Sequence, residues 1–317
     1  MSRPWKHNMY DRGYDDGYDR GYKEGYKEGY NEGYQKAKDE KIKLSSAYHM
    51  GWEEGLYSGG EGVLEYTLLK NKILMHVNHR EILQKGLASY KNNIVPIQSL
   101  QEVWDQLYDA LEKKIAYSFI RLGDGELLTL AQGNVLSDKD IKKYGPFLPY
   151  AGVTIPNTHA KSLLLTSLIK ATLIGIPLKR SFPFQRLAEQ VLKTNNINLK
   201  SLPLTNSLIN YQMYENNLIL KLLKDRKILI IGNVAALFAR KLTQHYHLSV
   251  SGYIQPVDGF SNLQEVIQQA GQFDYDIALI SAGVAAVVIA EKVASTYGKV
   301  AIDFGHVADL MIRDSSC

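Results

Sequence analysis

Hydrophobic spacing predicts different structures along the chain. Residues 63–87 place apolar side chains at helical spacing, and a second helix is predicted from about residue 99 to residue 113. Residues 115–121 then form a short apolar run, which predicts a strand. This run leads into the sequence Gly-Asp-Gly-Glu at 123–126, where a further helix is predicted to begin and continue through residue 131.

Apolar runs and amphipathic stretches alternate most clearly in the last third of the chain. Strands are predicted there at 227–231, 250–254, 277–281 and 300–303, separated by helices at 235–245, 263–270 and 284–297. Before this region, helices are predicted at 159–173, 184–194 and 211–223. Strands separated by helices imply parallel pairing through right-handed crossovers. The predicted fold class is therefore α/β, with a Rossmann-like, doubly wound, mostly parallel sheet.

A different pattern occupies the beginning of the chain. From residue 13 to residue 34 the sequence repeats Gly-Tyr-x-x six times, and Gly51, Gly55 and Gly59 resume the spacing of four. Each interior glycine costs a helix about 1 kcal/mol relative to alanine, so this extension is either packed against a partner or largely unfolded. Two interpretations stay open: a flexible or weakly helical tail, or a tyrosine-lined arm for self-association or docking through residues 13–59.

These patterns divide the chain into three predicted parts. A Gly-Tyr repeat extension, helical or disordered, covers residues 1–62, a helical linker covers 63–97, and a globular α/β domain covers 98–317. Residues 1–62 hold 10 basic and 12 acidic side chains, against 27 and 21 in the rest of the chain. The mildly basic body suits a small anionic ligand such as a nucleotide diphosphate. Nucleic acid is not expected, because the sequence has no arginine-rich run and no known nucleic-acid module.

Cysteine usage and apolar runs indicate a cytoplasmic protein. The single cysteine, Cys317, cannot form an internal disulfide, which fits a reducing compartment. Residues 1–10 lack the apolar region of a signal peptide, and the longest apolar stretch, 163–178, contains Lys170. No transmembrane segment is therefore expected.

Polar and glycine residues follow the predicted strands, where ligands bind in sheets of this kind. They are Arg121, Asp124 and Glu126 after the strand at 115–121, Gly232 and Asn233 after the strand at 227–231, Gly283 after the strand at 277–281, and Asp303, Gly305 and His306 at the strand at 300–303. The chemistry of this protein is expected among these residues.

Asp124 and Glu126 are two carboxylates separated by one glycine, Gly125. Hard oxygen ligands at this spacing could share Mg²⁺ or Mn²⁺ and leave coordination positions for water and phosphate oxygens. An Asp-Gly turn with solvated acids is the alternative. Arg121 has two interpretations as well, a bidentate grip on phosphate or a salt bridge with one of these acids.

The other strand ends carry weaker signals. Residues 232–236 could expose backbone N–H groups at a helix N-terminus, which would be an anion site, but they lack the glycines of a nicotinamide-binding fingerprint. Asp303-Phe304-Gly305 matches the metal-binding triplet of protein kinases, yet the other kinase motifs are missing from the sequence. His306 could be a base, a phosphate contact or a structural histidine oriented by Asp303.

Two segments resemble a known family. Residues 118–127, with the sequence SFIRLGDGEL, resemble the signature of the GT-D fold glycosyltransferases, a bacterial family with a DxE motif. Residues 298–306, with the sequence GKVAIDFGH, look like that family's closing strand and Asp-x-Gly-His element. The resemblance covers roughly residues 98–314. It implies that Asp124 and Glu126 coordinate a divalent cation bridging the diphosphate of a UDP-sugar, with Arg121 beside the same site.

The resemblance implies a metal-dependent glycosyltransferase. It would move a hexose such as glucose from a UDP-sugar to a hydroxyl of a glycan or glycoprotein acceptor, with Mn²⁺ or Mg²⁺ as cofactor. The candidate catalytic residues are Asp124, Glu126, Asp303 and His306, and the candidate ligand contacts are Arg121, Gly123, Gly125, Gly232, Asn233 and Gly283. The catalytic base stays open between His306, Asp303 and Asp309.

Two departures from the family's pattern keep other classes open. Residues 283–285 are Gly-Val-Ala where relatives tend to carry Gly-Pro-Thr. The acid often found two residues after the histidine is Ala308 in this chain, and Asp309 comes next. A non-catalytic nucleotide-binding protein fits the altered stretch, and an assembly protein acting through the Gly-Tyr arm is the other alternative.

Overall fold

The computed structural model describes residues 59–64, 67–68, 73–178 and 184–314. The chain divides into two units, Met1–Ile94 and Val95–Cys317. The Gly-Tyr repeats at 13–34 lie outside the described residues. Whether they are helical or disordered therefore stays a prediction. The predicted domain boundaries after residues 62 and 97 stay predictions.

The described part of the first unit contains short helices, among them a 3-10 helix at Lys91–Asn93. Residues 59–64 form a helical turn, and helix α1 spans His79–Ser89. The helix expected across 63–87 is interrupted, because residues 73–75 are not helical and His76 has a positive φ of 61°. The side chain of Asn78 then caps α1 by accepting a hydrogen bond from the Glu81 backbone amide at 3.0 Å.

The second unit is built on a parallel sheet. Its described strands are β1 Tyr117–Arg121, β2 Leu173–Ile176, β3 Leu204–Asn206, β4 Ile228–Gly232, β5 Val250–Ile254, β6 Ile277–Ser281 and β7 Val300–Asp303. They lie in the order β3-β2-β1-β7-β6-β4-β5, and every pairing is parallel. The predicted α/β class is confirmed, and the mostly parallel sheet is parallel throughout.

Helices cover both faces of this sheet. They are α2 Leu100–Lys113, α3 Asp124–Ala131, α4 Asp138–Tyr144, α5 Thr158–Lys170, α6 Phe184–Thr194, α7 Ile209–Glu215, α8 Leu218–Leu223, α9 Ala235–Gln244, α10 Leu263–Ala270, α11 Ala286–Tyr297 and α12 Val307–Arg313. Helices α3, α4, α5, α6, α10 and α11 pack into one core, and α2, α7, α8, α9 and α12 pack into the other. Neighbouring strand residues such as Phe119 and Ile120 point into opposite cores, as strand geometry requires. The doubly wound architecture is thereby confirmed.

Several elements differ from the sequence prediction, and helices α4 and α12 were not predicted at all. The helix expected to reach residue 173 ends at Lys170, and Leu173–Ile176 is strand β2. The helix expected at 211–223 is divided into α7 and α8, because Asn217 has a left-handed conformation with φ of 56°. Strand β3, Leu204–Asn206, was missed. Short apolar runs give no usable period, which is why β2 and β3 were overlooked.

Strands β1 and β7 are neighbours at the centre of the sheet, and their outgoing connections diverge. The chain after β1 enters α3 on one face, and the chain after β7 enters α12 on the other face. Divergent connections open a crevice beyond the carboxyl ends of adjacent strands, where ligands bind in folds of this type.

Among the described residues, no helix is both long enough and apolar enough to cross a membrane.

Candidate active site

Helix α3 begins directly at the crevice and carries both predicted carboxylates in its first turn. The backbone N–H of Gly123 donates to Glu126 Oε2 at 2.8 Å, and that of Gly125 donates to Asp124 Oδ1 at 2.9 Å. Asp124 is exposed and Glu126 is half-buried. Each carboxylate therefore caps the helix N-terminus with one oxygen, where negative charge is favoured.

Gly125 is packed closely against side chains of neighbouring elements. A Cβ atom built on this residue would lie 2.9 Å from Val284 Cγ2 and 3.7 Å from side-chain atoms of Phe147 and Leu148. The glycine thus lets the turn after β6 lie directly against the first turn of α3. The sequence suggested a role in the approach of ligand, and the structure adds a packing role.

Arg121, at the end of β1, is bonded to Asp303 at the end of β7. Its Nε donates to the Asp303 carbonyl oxygen at 2.9 Å, and its Nη2 donates to Asp303 Oδ1 at 2.9 Å. The two side chains are only 15% and 5% exposed. The sequence offered Asp124 or Glu126 as the salt-bridge partner of Arg121, and the structure instead places it on Asp303.

Residues that the sequence did not single out complete this ion pair. Arg121 Nη1 lies 3.4 Å from the Ser207 carbonyl oxygen and 3.5 Å from Asn210 Oδ1. Asn210, itself buried, donates from Nδ2 to the Phe304 carbonyl at 2.9 Å. Both residues follow β3, a strand that the sequence did not reveal, so no pattern pointed to them.

Glycines make room for the guanidinium. A Cβ on Gly305, where φ is 55°, would lie 2.0 Å from Arg121 Nη2. A Cβ on Gly175, in β2, would lie 3.1 Å from Arg121 Cγ. Ser281 holds the same turn from the other side, because its hydroxyl donates to the Gly305 carbonyl at 2.9 Å.

The carboxylates of Glu126 and Asp303 are both influenced by the positive charge of Arg121. Burial, with the nearby charge of Asp303, raises the pKa of Glu126 to about 7, and Arg121 opposes the shift. Burial also raises the pKa of Asp303, again opposed by Arg121. Further positive charge at Glu126 would stabilise its ionised form, so the electrostatics of this corner favour a cation.

His306 is exposed and is oriented by a different acid than expected. Its Nδ1 lies 3.1 Å from Asp309 Oδ2, three residues later on α12, and its side chain is 81% exposed. Asp303, the orienting acid suggested by the sequence, is occupied by Arg121. With Nδ1 directed at Asp309, the Nε2 atom of His306 is the nitrogen left for solvent or ligand.

Part of the predicted anion site at 232–236 is bonded internally. Asn233 exchanges two hydrogen bonds with the backbone of Val257, at 3.0 and 2.8 Å. The Ala236 N–H at the start of α9 donates to Gln255 Oε1 at 2.9 Å. A Cβ on Gly232 would lie 2.1 Å from the Ser281 carbonyl oxygen. In this structure these residues hold the loops after β4, β5 and β6 together.

The loop between α4 and α5 contacts the loops after β5 and β6 through backbone atoms, and these three loops form a common rim. A Cβ on Gly283 would lie 2.6 Å from the Ala151 carbonyl, which accepts a hydrogen bond from the Val284 N–H at 3.2 Å. A Cβ on Gly152 would lie 2.6 Å from the Gly259 Cα. Tyr150, in the same loop, is 93% exposed. Gly283 thus meets the rim loop and, through the neighbouring Val284, the first turn of α3.

The two carboxylates at the start of α3 suit a divalent cation that takes its remaining ligands from water or phosphate oxygens. The second oxygen of each carboxylate, Asp124 Oδ2 and Glu126 Oε1, makes no hydrogen bond to another described residue. The described residues contain no group of three or more histidine, cysteine or acidic side chains arranged to hold a metal ion. Mg²⁺ commonly binds through one or two carboxylates and takes its other ligands from water and substrate phosphates. The residues present therefore fit such an ion.

Breaking the Arg121–Asp303 pair should be costly. Asp303→Asn leaves a buried guanidinium without its counter-charge, and we expect a loss of about 3 to 5 kcal/mol in the free energy of unfolding. The double variant Arg121→Met with Asp303→Leu removes both charges and should lose less than the sum of the two single changes. Urea denaturation measures each value.

An exposed pair provides the control for this prediction. Lys113 and Asp109 are bonded at 2.6 Å on the surface of α2, with side chains 60% and 62% exposed. Asp109→Asn should change stability by less than about 1 kcal/mol. Equal losses of unfolding free energy in Asp303→Asn and Asp109→Asn would contradict the structural importance of the buried pair.

The raised pKa of Glu126 predicts a pH dependence of stability. Between the ordinary value and about 7, the folded state holds a proton that the unfolded chain has released, so stability falls as pH rises through this window. Glu126→Gln removes this dependence and retains an oxygen for the Gly123 N–H. We expect the Tm of the variant, relative to wild type, to increase between pH 5 and pH 8, as measured by calorimetry at about those values.

Glu102 occupies the same capping position in α2 and serves as the control. Hydrogen bonds from Ser99 lower the pKa of Glu102, so its contribution to stability is lost only at pH values below the ordinary glutamate range. Glu102→Gln should therefore shift Tm by the same amount at both pH values. A constant shift for Glu126→Gln as well would show that Glu126 titrates normally.

Comparison with known proteins identifies the family. Two solved structures of domain of unknown function 1792, one of them described as highly conserved with a distinct glycosyltransferase fold, are 14% and 15% identical to this chain. Each alignment covers 68% of this chain and 79% of the other, with TM-scores of 0.45 and 0.42. No curated protein matches the sequence. Residues 98–311 match the family model of the GT-D fold-like domain, and this match supports a glycosyltransferase. The chain belongs to the GT-D fold-like domain family.

Proposed function

We propose that this protein is a metal-dependent glycosyltransferase that moves a hexose such as glucose from a UDP-sugar to a glycan or glycoprotein acceptor. The observation that carries the proposal is the first turn of α3. There Asp124 and Glu126 each keep one carboxylate oxygen available, at the mouth of the crevice between β1 and β7 in a GT-D fold-like domain.

Asp124 and Glu126 would hold Mn²⁺ or Mg²⁺ through these oxygens. A divalent cation at this position supplies charge neutralisation for the diphosphate that departs from the donor sugar. The raised pKa of Glu126 supports the assignment, because burial beside Asp303 disfavours its ionised form unless positive charge is added.

The helix N-terminus contributes a second element of diphosphate binding. Gly123 and Gly125 donate their N–H groups to the two carboxylates. Both N–H groups lie at the positive end of α3, where phosphate oxygens are favoured. Gly123 and Gly125 would contribute to binding of the donor nucleotide through this backbone dipole.

Arg121 has a positioning role in this mechanism. Its Nε and Nη2 are already bonded to Asp303, so the guanidinium does not present a free bidentate face to phosphate. It instead ties the end of β1, just before α3, to the end of β7, just before His306. Arg121 thereby sets the spacing between the carboxylates and the histidine.

His306 is the group best placed to act as catalytic base. Asp303 is buried against Arg121 and is not available to the acceptor. Asp309 Oδ2 lies 3.1 Å from Nδ1 of His306, which leaves Nε2 to take a proton. The acceptor hydroxyl would lose its proton to Nε2 while its oxygen bonds to the sugar and the bond from sugar to diphosphate breaks. Asp309 then stabilises the imidazolium that results.

Donor binding tests the carboxylate assignment. UDP-glucose with Mn²⁺ should raise the Tm of wild type, and a ligand at 100 times its Kd stabilises a folded protein by about 3 kcal/mol. Asp124→Asn should lose the part of this shift that depends on Mn²⁺. Asp138→Asn, in the first turn of α4, is the matched control and should keep the shift. An Mn²⁺-dependent shift that survives in Asp124→Asn would place the cation elsewhere.

Turnover tests the role of His306. His306→Ala should lower kcat for donor consumption by about 10²-fold to 10⁴-fold, as expected for loss of a general base, and should leave the Tm shift with UDP-glucose and Mn²⁺ intact. His159→Ala, at an exposed position in α5, should leave both unchanged. Donor binding without detectable turnover in wild type would instead favour the non-catalytic nucleotide-binding protein.

A further inference from the structure

A cavity of about 380 Å³ lies at the amino ends of the strands, at the edge of the sheet opposite to the candidate active site. Its lining comes from the end of α2, from the residues that lead into β4 and β6, and from the turn between α11 and β7. All of these elements belong to the second unit. A cavity of this volume is large enough for a small organic molecule.

Part of the lining is apolar. Ala110 and Leu111, in the last turns of α2, and Val300, at the start of β7, are buried and line the cavity. Ile115 also lines it and is 53% exposed. Small-molecule sites typically combine apolar lining of this kind with a few charged or polar groups. A ligand can therefore place an apolar portion against these four residues.

The charged part of the lining carries a net positive charge. It consists of Lys114, Lys227 and Lys299 with Asp274 and Asp276, which gives a formal charge of +1. Lys227 engages both acids, because its Nζ lies 2.5 Å from Asp274 Oδ2 and its backbone N–H donates to Asp276 Oδ2 at 2.9 Å. Neither Lys114 nor Lys299 forms an ion pair with another described residue.

The three lysines converge on one place although they come from distant parts of the chain. Lys227 lowers the pKa of Asp274 by a hydrogen bond and by its charge, and the charges of Lys299 and Lys114 lower it further. Lys299 Nζ also lies 5.4 Å from the centre of the Tyr275 ring, a contact that positions the ammonium group. An anion beside Asp274 would therefore meet Lys114 and Lys299 together.

The other charges next to this cavity balance each other. Lys113 is paired with Asp109, and Arg226 is paired with Glu112. The last carbonyl groups of α2 are also occupied, since Ala110 accepts a hydrogen bond from the Ile115 N–H at 2.9 Å. The positive charge of Lys114 and Lys299 is therefore not taken up by these neighbours.

We propose that this cavity binds a small organic phosphate, with the phosphate between Lys114 and Lys299 and an apolar portion against Leu111, Ile115 and Val300. Lysine ammonium groups bind phosphate as point charges, and each supplies up to three N–H donors. The ligand would contact the beginning of β7, whose other end carries Asp303 of the candidate active site. This second site does not rest on the proposed transferase function.

Calorimetric titration of the full chain with phenyl phosphate, in the presence of a metal chelator, tests the proposal. Phenyl phosphate should bind about tenfold more tightly than inorganic phosphate, because the ring is buried against the apolar lining. Lys114→Gln and Lys299→Gln should each weaken binding by about threefold to fivefold. Lys139→Gln, at an exposed position of α4, is the matched control and should bind as wild type does.

Two further variants separate this cavity from other sites. Asp274→Asn releases Lys227 from its ion pair and should strengthen the binding of phenyl phosphate by about threefold. Asp124→Asn, at the start of α3, should leave this binding unchanged, because the two sites lie at opposite edges of the sheet. Circular dichroism should show that all the variants are folded.

Any of four outcomes would overturn the proposal. Wild type that does not bind phenyl phosphate has no such site. Wild-type binding by both Lys114→Gln and Lys299→Gln would place the ligand elsewhere, and loss of binding in Asp124→Asn would place it at α3. Weaker binding by Asp274→Asn would show that the acid, rather than the lysines, determines what this cavity accepts.

Discussion

The buried ion pair between Arg121 and Asp303 organises the site. Its two residues are 182 positions apart in the sequence and end adjacent strands at the centre of the sheet. A guanidinium buried at this depth requires its donors to be satisfied, and the surrounding structure supplies acceptors from Asp303, Ser207 and Asn210. The guanidinium of Arg121 therefore links the ends of β1 and β7 to the loop after β3. Helix α3 begins just after β1, and His306 lies just after β7, so both start from strand ends that this ion pair joins.

Burial and the same pair set the electrostatics of Glu126. Burial and the negative charge of Asp303 raise the pKa of Glu126, and the opposing attraction of Arg121 does not cancel them, so Glu126 ionises reluctantly despite the nearby cation. A site of this kind is poised to accept positive charge from outside the chain. The first turn of α3 thus combines two properties that are usually opposed: backbone amides that favour anions, and carboxylates that favour a cation. A metal-bound diphosphate has the charge distribution that satisfies both.

The sequence was sufficient to predict much of the fold. Strands β4 to β7 alternate with helices clearly enough that their bounds were predicted nearly to the residue, and placing Asp124, Glu126, Asp303 and His306 at strand ends followed from the parallel sheet. The partners within the site were not predictable in the same way. Asp303 pairs with Arg121, and His306 with Asp309, because of register and helix phase that local patterns do not encode. Asn210 was missed because β3 has three residues and no detectable period.

The backbone contacts of the rim are independent of the side chains that project from it. Gly152 meets Gly259, and Gly283 meets Ala151, through main-chain atoms that leave no room for larger residues. Loops joined in this way resist displacement, but the joint does not involve the side chains that project from them. Tyr150, almost fully exposed beside one of these contacts, can be replaced without loosening the joint. The side chains on this rim can therefore vary one at a time while the backbone frame that carries them stays the same.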